Sequence, residues 1–204
     1  MLSSCAAPPE KQDAGPVFYP PLPNPPRIQY LTAFSSARDV GDASDFSDFL
    51  FGKERGSESI ITKPYGVGLN DGKLFAVDIR GPGYVIFDLQ KKRTRSISGF
   101  GASQMKKPIN ISFDKQGNRY ITDTQRDQIL MFNNKDKFVR AFGVKGQFKP
   151  TDLLIVDNEM YVVDIAHHRI QVLSLPDGNV LREFGSPGSK AREFFHPTNI
   201  KMGT

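Results

Sequence analysis

A chain of 204 residues with 38% hydrophobic and 11% aromatic content can bury one sizeable core but not two. Its net charge of +5, from 27 Lys+Arg against 22 Asp+Glu, is of a size that serves solubility and gives nucleic acid little support as a partner. No run of about 18 or more apolar residues occurs, so no segment reads as a membrane-spanning helix. The single cysteine, Cys5, excludes an internal disulfide and a cysteine-based metal cluster.

Cys5 closes Leu2-Ser3-Ser4-Cys5, which reads as a lipobox, the motif at the acylated cysteine of bacterial lipoproteins. Small residues before the cysteine suit an extended chain in a signal peptidase, and the thiol takes the lipid. The signal peptide that such a motif requires is expected upstream of Leu2. Ala6-Ala7-Pro8-Pro9 and the Pro-rich run from Pro16 to Pro26 follow, so residues 1–26 are expected to form a stiff, extended tether. Acylation would then hold an exported protein at a membrane of the bacterial cell envelope, in the periplasm or at the outer membrane. The competing reading is an exposed thiol in an N-terminal tail.

From Lys63 onward the chain is self-similar. The first copy runs Lys63-Pro64-Tyr65-Gly66-Val67-Gly68-Leu69, Lys73-Leu74-Phe75-Ala76-Val77-Asp78 and Tyr84-Val85-Ile86-Phe87, closing at Phe100-Gly101. The second runs Lys107-Pro108-Ile109-Asn110-Ile111, Arg119-Tyr120-Ile121-Thr122-Asp123 and Gln128-Ile129-Leu130-Met131-Phe132, closing at Phe142-Gly143. The third runs Lys149-Pro150-Thr151-Asp152-Leu153, Met160-Tyr161-Val162-Val163-Asp164 and Arg169-Ile170-Gln171-Val172-Leu173, closing at Phe184-Gly185. A fourth opens at His196-Pro197-Thr198-Asn199-Ile200. Upstream, Arg27-Ile28-Gln29-Tyr30-Leu31 echoes Arg169 to Leu173, and Phe51-Gly52 supplies another closing pair.

The closing pairs end at 101, 143 and 185, a period of 42 residues. Each copy holds four short stretches of apolar residues, alternating by two and separated by turn signals such as Asn70-Asp71-Gly72 and Pro176-Asp177-Gly178. An α-solenoid of similar period would show helical spacing, which is absent. The expected fold is therefore all-β: a β-propeller of four-stranded antiparallel blades. The expected parts are an outer half-blade over 27–52, full blades over 63–101, 107–143 and 149–185, and the first strand of a further blade over 196–204. The proline suits the start of an innermost strand. The Asp at the end of the second strand can accept hydrogen bonds from the following turn, and Phe-Gly is expected to place a ring between blades. The basic cluster Lys91-Lys92-Arg93-Thr94-Arg95 reads as a solvated hairpin tip. The run Asp39, Asp42, Asp45 and Asp48 lacks calcium-loop spacing and reads as a solvated loop.

Val163-Asp164-Ile165-Ala166-His167-His168-Arg169-Ile170-Gln171-Val172 resembles the signature of NHL-repeat propellers, and residues 63–200 carry the resemblance. The turns Arg80-Gly81-Pro82-Gly83 and Gln125-Arg126-Asp127-Gln128 of the earlier copies depart from that signature. The resemblance implies a ring of six blades, of which this sequence supplies part; closure as a smaller, four-bladed ring is the alternative.

Propellers use one end of the central channel. Residues two past each repeat proline, Gly66, Asn110, Asp152 and Asn199, are expected there, together with Tyr65 and with Arg80, Arg126 and His167 after the repeat Asp. Calcium-dependent propeller hydrolases hold their ion with oxygen ligands near the channel axis, and Asn110, Asp152 and Asn199 could form such a site; the bland reading is that these residues suit a tight strand start. His167 and His168 are adjacent, so they point oppositely in an extended segment, and His168 reads as a packed turn residue. No Gly-x-Ser-x-Gly elbow and no phosphate-cradling glycine loop occurs. The leading functional expectation is a non-enzymatic envelope module that needs no cofactor and binds a protein, peptide or polysaccharide through the channel face. The alternatives are a calcium-dependent propeller hydrolase or lyase, and an RNA-binding NHL domain.

Overall fold

The computed structural model describes residues 16–41 except 22 and 26, and residues 60–203 except 82. The chain divides into two compact units, Met1–Phe34 and Ser35–Thr204. In the first unit β1 (Val17–Tyr19) and β2 (Ile28–Tyr30) form a two-stranded antiparallel ladder, Val17 opposite Tyr30. The side chains of both strands are exposed. Part of the expected tether is thus a short strand, and the boundary between units follows Phe34 rather than Pro26. The strand expected to open the half-blade over 27–52 is β2, and it pairs with β1 rather than with a four-stranded sheet. Three-residue strands that bury no side chain gain little from joining a sheet core. Cys5, Phe51-Gly52 and the aspartates Asp42, Asp45 and Asp48 lie outside the described residues.

The second unit holds three four-stranded antiparallel sheets, each a simple meander in chain order. The first blade comprises β3 (Pro64–Asn70), β4 (Lys73–Asp78), β5 (Gly83–Asp88) and β6 (Arg93–Ser98). The second comprises β7 (Pro108–Phe113), β8 (Arg119–Asp123), β9 (Gln128–Phe132) and β10 (Phe138–Phe142). The third comprises β11 (Pro150–Val156), β12 (Glu159–Asp164), β13 (Arg169–Ser174) and β14 (Val180–Phe184). Each sheet lies inside one sequence copy, and the repeat proline begins each innermost strand. The link from β3 to β4 is the pair Asp71-Gly72 at φ 48° and 66°. Two successive positive φ values make the type I′ turn whose twist matches the flanking strands.

Alternation along each strand sends one row of side chains to each neighbouring blade. From the first blade, Phe75, Val77, Tyr84 and Ile86 meet Ile111, Ile121, Leu130 and Phe132 of the second. From the second, Tyr120, Ile129 and Phe142 meet Leu153, Met160, Val162 and Leu173 of the third. Fully burying side chains of this kind is worth roughly 1.5–3 kcal/mol each, so the seams between blades hold the arc together.

Every fourth strand also carries an arginine at one register position, Arg95 opposite Ile86, Arg140 opposite Met131 and Arg182 opposite Val172. Arg95 reaches the second blade and pairs with Asp136. Arg140 reaches the third, donating to the Pro176 and Asp177 carbonyls at 2.7 and 3.2 Å. Arg182 turns back on its own blade and forks onto Glu159 at 2.7 Å to each oxygen. The basic cluster is therefore not simply a hairpin tip: Lys91 and Lys92 lie in the turn, whereas Arg93 and Arg95 stand in β6.

Three local expectations need correction. Phe142 is buried between blades, but Phe100 is 94% exposed and Phe184 46%. In the first blade β6 ends at Ser98 and Ile97 packs into the seam instead. Phe184 stands opposite Ile170 on the face that no described blade covers. Residues 196–203 form no strand, since no second strand among the described residues completes a ladder with them. They are nonetheless pinned, because the Ile200 N–H donates to Asp152 Oδ2 at 3.0 Å.

Candidate functional site

The innermost strands place Gly66, Asn110, Asp152 and Asn199 at matching positions of successive copies, and the structure brings them together. The Asn110 amide donates to Asp152 Oδ1 at 2.6 Å, and Asn199 donates to Asp152 Oδ2 at 3.5 Å. Gly66 leaves room for the next strand: a Cβ there would lie 2.4 Å from the Ile109 carbonyl oxygen and 2.6 Å from Asn110 Cα. Further bonds tie the same strands. Ser112 Oγ donates to the Leu153 carbonyl at 2.7 Å, and the Asn110 N–H donates to Thr122 Oγ1 at 2.9 Å. Asn110, Ser112, Asp152 and Asn199 form the wall of a recess of about 530 Å³, lined also by Tyr65, Thr151 and Ile165.

The repeat aspartates fix the loops at this end. Asp78 accepts from the N–H groups of Thr62 (2.6 Å) and Lys63 (3.1 Å) before β3, and of Arg80 (2.9 Å) and Gly81 (3.0 Å) after β4. Asp123 repeats the pattern with Lys106 at 2.6 Å and Lys107 at 3.0 Å, and with Gln125 and Arg126 at 3.1 Å. Asp164 takes the Lys149 N–H at 2.9 Å and spends its other oxygen on His167 Nδ1 at 2.6 Å and Arg169 Nε at 3.1 Å. The expected bonds to the following turn are present, and the same carboxylate also clamps the preceding loop. Burial alone would raise the pKa of Asp78, but the backbone N–H groups of Thr62, Gly81, Arg80 and Lys63 together hold it below the usual carboxylate value.

Of the residues expected at the channel mouth, Tyr65, Asn110, Asp152 and Asn199 line one recess, and Arg80, Arg126 and His167 do not. Arg126 is committed to the loop before its own blade, donating to the Ala102 carbonyl at 3.0 Å and the Gln104 carbonyl. His167 is held by Asp164. Arg80 is exposed, with its backbone N–H on Asp78. His168, at φ 55°, accepts the His196 N–H on its Nδ1 at 3.1 Å, a packed turn residue. Sequence reading does not single out Lys149 or Thr151, which share a second recess with Tyr65, Lys107, Thr124 and Ile165. The available signal is the lysine before each repeat proline, Lys63, Lys107 and Lys149, none of which joins an ion pair among the described residues.

Asn110, Asp152 and Asn199 meet as donors and acceptor rather than as three oxygens turned toward one point. Asp152 already takes two side-chain amides and the N–H groups of Leu153 and Ile200, and Asn110 Oδ1 takes the Ile111 N–H at 2.9 Å. As arranged, the trio does not fit a calcium ion. Among the described residues, no group of three or more His, Cys, Asp or Glu side chains is placed to hold a metal.

No protein-family profile matches the chain. Its fold is similar to solved propeller structures. Against virginiamycin B lyase from Staphylococcus aureus the identity is 15% and the TM-score 0.51, covering 64% of this chain and 44% of that one. Against Kuenenia stuttgartiensis hydrazine synthase the values are 12% and 0.55, with 73% and 41% covered. Against the WD40 repeats of RRP9 they are 9% and 0.51, with 59% and 38% covered. The chain therefore spans less than half the length of these structures. At such identities the likeness is one of fold: the three sheets are blades of an incomplete β-propeller.

Proposed function

We propose that the chain is a non-enzymatic binding module, part of a six-bladed ring of the NHL-repeat kind, that takes a protein, peptide or polysaccharide ligand at its channel face. One observation carries this reading. The recess at Asn110 and Asp152 is lined by polar side chains already bonded to one another, while Tyr65, at 65% exposure, is shared with the second recess, which Lys107 and Lys149 also line. A self-satisfied lining gives a rigid surface, and an exposed aromatic ring sharing a recess with cations gives a ligand something to stack on and pair with. Acylation of Cys5 would place this face at the cell envelope.

The test is binding of the soluble chain to purified bacterial surface polysaccharides and to a soluble peptide library, read by interferometry. Tyr65→Ala and Lys149→Ala should each weaken binding about tenfold without changing the melting temperature; binding indifferent to both substitutions overturns the reading. Melting in calcium and in EDTA should coincide, and stoichiometric calcium would instead favour a metal-dependent hydrolase or lyase. Retarded RNA mobility lost on Lys107→Ala would favour an RNA-binding face. Expression with the upstream codons, followed by mass spectrometry of the N-terminal peptide, tests lipid on Cys5; an unmodified exported form removes the envelope anchor.

A further inference from the structure

At the opposite end of the seam between the first two blades, one position breaks the repeat. Four residues before the repeat Asp, the first and third copies carry Leu74 and Met160, whereas the second carries Arg119. This face of β8 packs on the preceding blade, and Arg119 is only 6% exposed. Its guanidinium lies over the Phe75 ring at 5.1 Å. It donates to the Gly117 and Asn133 carbonyls at 2.8 and 3.0 Å, and its Nε stands 3.0 Å from Asp136 Oδ1 without making a hydrogen bond. A charge at an apolar repeat position costs desolvation that packing alone does not return.

The first blade faces it with more cations. Lys73, Asp88 and Arg93 form one register row across β4, β5 and β6, next to the row Phe75, Ile86 and Arg95 on the same face. The two blades enclose a recess of about 370 Å³ lined by Lys73, Lys91, Arg93, Arg95 and Arg119, against the carboxylates of Asp88 and Asp136. Five cations meet two anions there. Asp136 is already shared by Tyr84, Arg95 and Arg119, and Asp88 accepts the Lys91 N–H at 3.0 Å. Lys73 pairs with Asp71, while the Lys91 and Arg93 side chains are in no ion pair among the described residues.

We propose that this recess is an anion site for a phosphate group, either free phosphate or the phosphate of a lipid headgroup. A tetrahedral dianion offers acceptor oxygens to the forks of Arg93 and Arg95 and to the point charges of Lys91 and Lys73. Arg119 supplies buried positive charge at the floor. The size of the recess falls in the range of small-ligand pockets. The site lies away from the channel mouth and is independent of the ligand taken there.

The test has two arms on the full chain. Calorimetric titration with inorganic phosphate, at ionic strength matched with sodium chloride, reads the free anion. Sedimentation with phosphatidylcholine vesicles, with and without phosphatidic acid, reads the headgroup. Saturable binding in either arm, weakened tenfold or more by the exposed double substitution Lys91→Ala/Arg93→Ala and unchanged by Lys106→Ala, is expected. Circular dichroism and melting confirm that the variants are folded. Binding in neither arm, or binding that survives the double substitution, overturns the proposal.

Discussion

Asn110 and Asp152 occupy the same position of successive copies, 42 residues apart, and are joined by a 2.6 Å hydrogen bond from one innermost strand to the next. The bond continues to Asn199 and Ile200 on one side, and on the other Asn110 presses against Gly66. One position per copy, glycine in the first and polar in the others, thus lies where neighbouring innermost strands meet.

Gly66→Ala should destabilise the chain by about 1–3 kcal/mol, because the new methyl would run into backbone atoms that cannot rotate away. Gly101→Ala meets nothing within 4 Å and pays only for its φ of 59°, about 1 kcal/mol. Urea denaturation of the two variants side by side reads the difference.

Asp123 is wholly buried and holds four backbone N–H groups from two loops. Asp123→Ala should cost about 3 kcal/mol or more by chemical denaturation, since the donors lose a charged acceptor together. Asp123→Asn, which keeps one acceptor oxygen, should fall between the alanine variant and the parent.

Asp78 has a native pKa below its unfolded value, so it binds protons less readily when folded. The stability it contributes is therefore fully present above the unfolded pKa, near 4, and is lost as pH falls through the lower native value. The acid limb of a stability–pH curve should flatten in Asp78→Asn below about pH 4. An unchanged limb would mean that the clamp does not titrate.

Arg119 and Asp136 should be strongly coupled. Asp136→Asn strands a buried cation and should cost about 3 kcal/mol or more, whereas Arg119→Leu/Asp136→Asn, which restores the apolar residue of the first copy, should lie within about 1 kcal/mol of the parent. A double-mutant cycle by urea denaturation should give a coupling of about 2 kcal/mol or more.

The period of the Phe-Gly pairs, the proline at each innermost strand and the Asp-Gly turn were enough to read the blades, because each records a local backbone requirement. The sequence motif alone does not say whether its ring is buried. Phe100, Phe142 and Phe184 share a motif, yet only Phe142 has both a strand long enough to carry it and a neighbour to receive it. The meeting of matching positions was legible where it depends on register, as for Asn110 and Asp152. The directions of Arg126 and His167 were not legible, being set by the Ala102 and Gln104 carbonyls and by Asp164. The partner of β2 was equally hidden, since a strand resembling Arg169 to Leu173 carries no mark of which ladder it joins.

Arg182, the one repeated arginine that folds back on its own blade, belongs to a strand exposed along its whole length. Because each blade leans only on its neighbours, the second blade has two supports among the described residues and the third has one, and resistance to opening is distributed accordingly. Amide exchange should be slowest in β8 and β9, flanked on both sides by described blades, and faster in β14, whose residues are all exposed.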